Sequence, residues 1–269
     1  MTQIALRWRN TDASKQIRIY TTSNKLESAG IVCVLKVMDA RNHRISIHCI
    51  DKDTSALRHA LLTTERINWS SPETTIFFTA FHENLLPIVQ ACLSHHNYKI
   101  IEYVNSLYKF PANLQAAKHV YKWAIPDQLT LCTCSCPPEV RLAPLKLESL
   151  ELIKSNWFNH PDAAEYISTL IEHNPSLGVY SRTTGELRAW VLLSEFCALT
   201  MLHTVKKHRR KGYARLLVNT MCKTLLSEGL VVGAAILQGN IPSLKLFESL
   251  EFQSSQDSYV YTLAAPQLL

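Results

Sequence analysis

The spacing of hydrophobic and polar positions along the first half of the chain predicts a mixture of strands and helices. Runs rich in β-branched and aromatic residues predict strands at Gly30–Val37, Ile45–Ile50, Thr74–Ala80 and Ile100–Phe110. Helical spacing predicts helices at Ser55–Leu62 and His82–His96. The stretch from Thr74 to Phe110 therefore has the order strand, helix, strand.

The second half of the chain has a clearer pattern. Helices are predicted at Glu148–Trp157, Asp162–His173, Tyr213–Ser227 and Asn240–Leu250. Strands are predicted at Leu177–Ser181, Leu187–Leu193, Ala198–Val205 and Leu230–Leu237, and Tyr259–Leu263 is expected to close the same sheet. This order predicts an α/β (α+β) fold in which a mixed sheet is flanked by helices.

The run Cys136-Pro137-Pro138 marks the strongest break in the pattern, because two successive prolines end regular hydrogen bonding. A chain of 269 residues is long enough for two domains. We therefore predict an N-terminal α/β domain at 1–138 and a C-terminal domain at 139–269.

Composition excludes some classes of protein. Hydrophobic residues make up 47% of the chain, so a sizeable core is expected and global disorder is not. The net charge of +6 is mild, which makes a nucleic-acid partner unlikely. No apolar run is long enough for a membrane span, so no membrane association is predicted. The chain is expected to be a monomer or a homodimer.

Eight cysteines are present, and most are scattered among apolar residues as small core residues. The cluster Cys132, Cys134 and Cys136 has one-residue spacing, which suits one face of a strand better than a zinc site, so no metal is predicted. Free thiols indicate a reducing compartment and therefore the cytoplasm. The basic, acid-poor start of the chain leaves mitochondrial targeting as the alternative.

The segment after Val205 carries the most distinctive chemistry. Gly212 lies seven residues later, at the predicted start of a helix, and lysines and arginines fill most of the interval. The unpaired N–H groups at a helix start bind phosphate, and a glycine lets the backbone approach a ligand closely. By itself, the pattern is equally compatible with a solvated basic turn.

A second motif follows the next apolar strand. It reads Asn240-x-x-Ser243-x-x-Leu-Phe247-Glu-x-Leu-x-Phe252, and together with Arg209-x-x-Gly212-x-Ala214 it resembles the GNAT superfamily of acyl-CoA N-acyltransferases. The similarity covers about residues 145–263 and is greatest to the glycine N-acyltransferase-like branch, which also has a run like Arg188-Ala-Trp190 before the loop.

The resemblance implies a GNAT-type C-terminal domain that uses acetyl-CoA or another acyl-CoA as its co-substrate. Two neighbouring parallel strands, Ala198–Val205 and Leu230–Leu237, are expected to part at their C-terminal ends and hold the pantetheine arm. The implied coenzyme contacts are Leu202, Thr204, Val205, Arg209, Arg210, Lys211, Gly212, Tyr213, Ala214, Arg215, Asn240, Ser243 and Phe247. The first half is expected to be a degenerate copy of this fold. It has no comparable glycine loop and so is not expected to bind coenzyme A in the same way.

The implied reaction is direct attack of an acceptor amine on the thioester, with a base to remove the ammonium proton. His203 and Glu195 are the candidate bases, although a hydrogen-bonded strand histidine and a solvated turn acid are equally ordinary interpretations. Many relatives use a tyrosine where this chain has Phe247, so either Ser243 or water is the acid, or the thiolate leaves without one. A second departure is Glu251, where relatives often have glycine.

The acceptor is expected to be a small-molecule amine, with glycine or another amino acid implied by the branch. Trp157, Phe158, Asn159 and Tyr166 lie where the family's acceptor-site loop and helix occur, although packing beneath that loop explains them equally well. The main alternative to an active enzyme is a non-catalytic acyl-CoA-binding protein of the same fold.

Overall fold

A computed structural model of the chain describes residues 17–22, 30–36, 42–49, 53–65, 67–70, 73–111, 136–157, 163–195, 197–230, 232–237 and 239–267. The chain divides into two compact units. The N-terminal unit combines Asp12–Leu107 with Gln256–Leu269, and the described part of the C-terminal unit lies within Tyr108–Ser255.

In the part of the chain that the structure describes, six strands and two helices build the N-terminal unit. The strands are β1 (Ile17–Thr21), β2 (Gly30–Lys36), β3 (Asn42–Cys49), β4 (Thr75–His82), β5 (Tyr98–Pro111) and β11 (Phe252–Pro266), the last two of which each cross the division between the units. The helices are α1 (Ser55–Thr63) and α2 (Leu86–His95), the latter preceded by a 3₁₀ turn at Glu83–Leu85.

The sheet of the N-terminal unit has the order β1-β2-β3-β4-β11-β5. Neighbouring pairs are antiparallel up to β3, whereas β3 and β4 are parallel and are joined through α1. The core of this unit lies between the sheet and the two helices, and Ile45, Leu57, Phe78 and Val89 are among its buried residues.

Among the described residues of the C-terminal unit there are five further strands and four helices. The strands are β6 (Val140–Ala143), β7 (Ser176–Ser181), β8 (Leu187–Leu193), β9 (Ala198–Thr204) and β10 (Gly233–Leu237). The helices are α3 (Leu150–Ser155), α4 (Ala163–His173), α5 (Tyr213–Ser227) and α6 (Ile241–Glu248). Strands β6 to β9 form an antiparallel run in chain order, and β10 lies parallel to β9.

Helix α5 joins the parallel strands β9 and β10, as expected for a strand–helix–strand unit. Its hydrophobic positions recur at helical spacing, and Leu216, Leu217, Met221 and Leu225 are all buried. This packing fixes the amino-terminal end of α5 at the C-terminal end of β9, where the basic loop lies.

The predicted mixed α/β fold is confirmed, and most predicted elements are present within a few residues. The assignment of Tyr259–Leu263 to the C-terminal sheet is wrong, because Tyr259 pairs with His82 and Leu263 with Phe77 of β4. The sequence of such a strand is compatible with pairing in either sheet, so it does not identify the partner strand. Two short strands, β1 and β6, were not predicted.

The helix predicted at His82–His96 begins later. His82 instead ends β4, and its Nδ1 accepts a hydrogen bond from the backbone N–H of Asn84 at 3.2 Å. The predicted domain boundary at residue 138 stays a prediction, since residues 112–135 lie outside the described part of the chain. Also outside the described part of the chain are residues 1–16 of the basic start, Cys132, Cys134, Phe158 and Asn159.

Candidate active site

The parallel pair β9–β10 separates soon after it forms. Only Gly233 with Ala198 and Ala234 with Leu199 are paired across these strands in the described part of the chain. The remaining residues of both strands continue in the C-terminal direction without a cross-strand partner from the other. The expected parting of the two strands is therefore present. The level of Ala198 and Leu199, where the two strands are still paired, is called the apex.

A β-bulge on the β8 side of β9 accompanies this separation. His203 pairs with Trp190 and Thr200 with Leu192, which leaves two residues of β9 opposite one residue of β8. Met201, within the bulge, has a φ of 52°. A left-handed conformation is unfavourable for a residue other than glycine and clusters at functional sites. The bulge was not predicted, because nothing in the local sequence marks Met201 for this conformation.

The amino-terminal end of α5 is arranged to receive an anion. Gly212 is the N-cap residue with a φ of 77°, and no side chain caps the helix. The first intrahelical hydrogen bond runs from the N–H of Leu216 to the carbonyl of Gly212 at 3.0 Å, so the N–H groups of residues 213–215 have no carbonyl within the helix to reach. A Cβ placed on Gly212 would meet nothing within 4 Å, which shows open space in front of the helix.

Two of the predicted phosphate-binding cations hold the loop in shape. The Nε of Arg209 donates to the carbonyl of Thr204 at 3.1 Å, which ties the loop to the end of β9. The guanidinium of Arg215 donates to Oγ of Ser249 at 2.8 Å and to its carbonyl at 3.3 Å, which ties α5 to the end of α6. Both side chains therefore have an architectural role in addition to their charge.

The other cations of the loop differ in their partners. Lys207 lies 2.6 Å from the carboxylate of Glu186, and Nε2 of His208 lies 3.4 Å from the same carboxylate. The hydrogen bond from Lys207 is the main reason that the pKa of Glu186 falls below its usual value. Arg210 and Lys211 are exposed, and Arg210 has a φ of 63°. These two charges are thus the ones best placed to attract an anion to the helix.

A buried network lies beneath the loop. Tyr213 is 1% exposed, and its hydroxyl oxygen lies 3.3 Å from an η-nitrogen of Arg188 and 3.2 Å from a carboxylate oxygen of Glu139. Arg188 also donates to Oγ of Ser181 at 3.1 Å. Tyr213 was predicted as a coenzyme contact through its backbone, and its side chain anchors α5 to β8. The roles of Arg188 and Glu139 in this anchor were not predicted.

The second motif forms the beginning and end of α6. Oδ1 of Asn240 accepts a hydrogen bond from the N–H of Ser243 at 3.3 Å, so Asn240 caps the helix. Phe247 is 3% exposed and packs edge-on against Phe252, with ring centroids 5.0 Å apart. Glu251 has a φ of 63°, a conformation that favours the glycine expected there. The coenzyme contacts of these residues stay predictions.

Glu195 lies in the turn between β8 and β9 and is only 7% exposed, so the interpretation of a solvated turn acid is wrong. The hydroxyl of Tyr166 on α4 donates to its carboxylate at 2.6 Å. The ring of Trp157 stacks on Tyr166, with centroids 5.7 Å apart. One candidate base and two predicted acceptor-site residues thus form a single cluster.

His203 lies in a different part of the site, one residue before the end of β9. Its ring stacks on that of Trp190 with centroids 4.8 Å apart. Burial lowers the pKa of His203, and the charge of Arg209 lowers it further. Both effects favour the neutral form of the imidazole, and the second shows that the ring lies close enough to the basic loop for the charge of Arg209 to act on it.

Among the described residues, no three histidine, cysteine or acidic side chains are arranged to hold a metal ion. Cys136 donates through Sγ to the carbonyl of Val140 at 3.4 Å. None of the described helices has the length and apolar character needed to cross a membrane.

Comparison with known proteins identifies the fold. Residues 176–261, which include β7 to β10, α5 and α6, match the family model described as FR47-like protein. The structure is similar to an X-ray structure of a Drosophila protein, with a TM-score of 0.77 and 19% identity over 98% of this chain and 86% of that chain.

Two further structures have names that state a superfamily. A GCN5-related N-acetyltransferase from Kribbella flavida matches with a TM-score of 0.55 and 13% identity over 99% of this chain and 95% of that chain. A tandem GNAT protein from the clavulanic acid biosynthesis pathway matches with a TM-score of 0.55 and 12% identity over 94% and 85%. Residues 176–261 therefore match the FR47-like protein family, and the chain as a whole has the fold of GNAT proteins.

Proposed function

We propose that the chain is an N-acyltransferase that moves an acyl group, in the first instance acetyl, from acyl-CoA to the amine of a small molecule. The observation that carries the proposal is the combination of the early-ending β9–β10 ladder with the uncapped amino-terminal end of α5. An extended pantetheine arm fits between parting strands, and the diphosphate of the coenzyme suits free N–H groups beside Arg210 and Lys211.

In this proposal the arm runs from the basic loop along β9 towards the apex and brings the thioester close to it. Backbone groups of the bulged segment, including Leu202, hold the arm and polarise the carbonyl. The acceptor amine loses a proton and attacks the carbonyl carbon directly in a ternary complex. The C–S bond then breaks as the nitrogen loses its second proton. The departing thiolate takes a proton from Ser243 or water, and the proton released by the nitrogen restores that donor. Resemblance to the glycine N-acyltransferase-like branch makes glycine or another amino acid the first acceptor to test.

A non-catalytic acyl-CoA-binding protein is the second candidate. It is favoured by Phe247, which has no hydroxyl and whose ring is buried against Phe252. Such a protein would keep the loop and the separated strands and would lack a group that protonates the thiolate.

Calorimetric titration with coenzyme A and acetyl-CoA, followed by a thiol-release assay across a panel of amines that includes glycine, tests both candidates. We expect binding of one coenzyme per chain and thiol release that depends on an amine. Binding without release across the panel would favour the second candidate, and absence of binding would contradict both.

A further inference from the structure

We infer that Glu195 is the base of the acyl transfer and that Tyr166 is the positioning residue that holds its carboxylate at the apex. The inference rests on the proposed function and deepens it, because it chooses between the two candidate bases and assigns a role to a residue of the acceptor side. It is carried by the positions of Glu195 and His203 relative to β9 and by the hydrogen bond between Tyr166 and Glu195.

The two candidate bases lie at opposite ends of β9. His203 is five residues beyond Ala198, so an extended strand would place the two at most about 16 Å apart, and the bulge at Met201 shortens this span. It is followed at once by the segment that leads to the phosphate-binding end of α5, and its pKa responds to the charge of Arg209. In the proposed arrangement this is the diphosphate end of the arm, far from the thioester.

Glu195 lies at the other end, in the turn that immediately precedes the apex. The N–H of Ser194 donates to the carbonyl of Ala198 at 2.9 Å, and the N–H of Gly233 donates to the carbonyl of Cys197 at 3.1 Å. The turn is therefore tied directly to the first residue of β10. A group here adjoins the point at which the arm must end, because the strands close at Ala198 and Leu199.

The hydrogen bond from Tyr166 gives the carboxylate one geometry. At 2.6 Å it is a short bond from a hydroxyl to a carboxylate oxygen. Helix α4, which carries Tyr166, is itself fixed to β8, since Nδ2 of Asn174 donates to the carbonyl of Leu193 at 2.8 Å. Donation by the hydroxyl also stabilises the ionised carboxylate against the effect of burial.

The proton balance of the step is simple. The acceptor enters as an ammonium ion and gives one proton to the carboxylate of Glu195, directly or through a water molecule. The neutral amine then forms the C–N bond, and its nitrogen, now positively charged, releases a second proton as the C–S bond breaks. That proton goes to the departing thiolate, directly or through Ser243 or water, so the products are the amide and the free thiol of coenzyme A, and Glu195 gives its own proton to solvent. Tyr166 loses no proton in this step, since its role is to orient and stabilise the carboxylate.

The test uses the full chain and compares Glu195→Gln, Tyr166→Phe and His203→Gln. Glu165→Gln is the matched control for the first, because Glu165 is exposed on the same helix as Tyr166. Tyr180→Phe is the control for the second, because Tyr180 donates one hydrogen bond, to the carbonyl of Pro144 at 3.3 Å, in the same unit. Coenzyme A affinity is measured by calorimetry, and kcat/KM is measured against pH with acetyl-CoA and the fastest amine of the panel.

We expect Glu195→Gln to lower kcat by about 100-fold or more, with coenzyme A affinity within about twofold of the unaltered protein. Tyr166→Phe should move the acidic limb of the kcat/KM profile to higher pH, so that its defect shrinks as pH rises. A purely structural role for Tyr166 would lower activity by the same factor at every pH. His203→Gln should leave the acidic limb of the kcat/KM profile at the same pH.

The inference is overturned if Glu195→Gln retains activity while coenzyme A still binds, or if His203→Gln removes the acidic limb. Failure of the unaltered protein to bind coenzyme A would contradict the proposed function itself. If the coenzyme binds and no amine turns over, a ¹³C NMR titration of glutamate-labelled protein decides the role of Tyr166. Tyr166→Phe must then raise the titration midpoint of the Glu195 carboxyl, and an unchanged midpoint overturns the inference.

Discussion

Each of the two units contains a strand–helix–strand element with parallel strands, and the two elements differ in how far their strands stay paired. In the N-terminal unit, β3 leads through α1 into the parallel strand β4, and in the C-terminal unit β9 leads through α5 into β10. The N-terminal pair is joined at four positions, from Asn42 with Thr75 to Ile45 with Phe78, whereas the C-terminal pair is joined at two. Only the C-terminal element therefore parts early within the described residues.

The amino-terminal ends of α1 and α5 also differ. At α1 the carboxylate of Asp53 accepts the N–H of Ser55 at 2.9 Å, so an anion of the chain itself is bound to the start of the helix. The pKa of Asp53 is lowered by these hydrogen bonds with Ser55. At α5, Gly212 offers no side chain, and cations surround the N–H groups. The same fold element therefore has two kinds of helix start: one is bound by a carboxylate of the chain, and the other has no side-chain cap, as the proposed function requires.

Replacing Gly212 should have the largest effect on this difference. Gly212→Glu adds a negative charge in front of the free N–H groups and forces a side chain into a left-handed conformation. We expect coenzyme A affinity to fall by about 100-fold or more, an estimate equal to about 3 kcal/mol, measured by calorimetry. Gly229→Glu is the matched control, because Gly229 has a φ of 74°, has open space around it and lies past the other end of the same helix. Equal loss in both variants would contradict the assignment of the loop.

Arg210 offers a second and smaller test of the loop. Arg210→Gly removes one exposed cation and also relieves a left-handed residue that is not glycine. We expect coenzyme A affinity to fall about threefold to tenfold, with a larger ratio at low salt, while the thermal midpoint stays equal or rises. Glu251→Gly relieves the same kind of strain outside the loop and should leave affinity unchanged. Unchanged affinity in Arg210→Gly would remove this cation from the site.

One histidine in each unit should make stability depend on pH. Burial is the main reason that the pKa values of His203 and His96 fall below the usual value of 6.5. The unfolded chain then binds these protons more readily, so stability is constant above about pH 7 and decreases as pH falls through 6.5 and below. Urea denaturation at pH 7.5 and 5.5 measures the loss. His203→Gln should reduce it, and an equal loss in this variant would contradict the assignment to His203.

Removing the internal anion of α1 should have the smallest effect. Asp53→Ala frees the N–H of Ser55, yet the N-terminal unit still has the longer parallel ladder and no glycine at this position. We expect a small decrease in the thermal midpoint and no second coenzyme, so that calorimetry still gives a stoichiometry of one. A stoichiometry of two would show that Asp53 alone distinguishes the units.

Local signals were sufficient for most of the elements and for the position of the basic loop. Helical spacing identified α5 and its start at Tyr213, and the predicted position of Gly212 coincides with the left-handed N-cap of that helix. These predictions succeed because hydrophobic periodicity and glycine conformation act over a few residues. The position of Glu251, where a glycine was expected, likewise coincides with a positive φ of 63°.

Contacts between residues far apart in the chain could not be predicted from the sequence. The burial of Glu195 and its bond to Tyr166 join a turn to a helix 29 residues away, and the bulge at Met201 has no local mark. The network of Glu139, Arg188 and Tyr213 spans 74 residues for the same reason. Side chains at such separations meet only after the sheet and its helices have packed.

The sequence by itself determined the alternation of strands and helices, the basic glycine loop and the two motifs that resemble GNAT proteins. Tertiary structure decided that β11 pairs with β4 and that the pairing of β9 with β10 ends after Leu199. It also placed Glu195 just before the start of β9 and His203 near its end. The reason is physical: periodicity and capping depend on neighbours along the chain, whereas strand partners and buried hydrogen bonds depend on which surfaces the whole chain brings together.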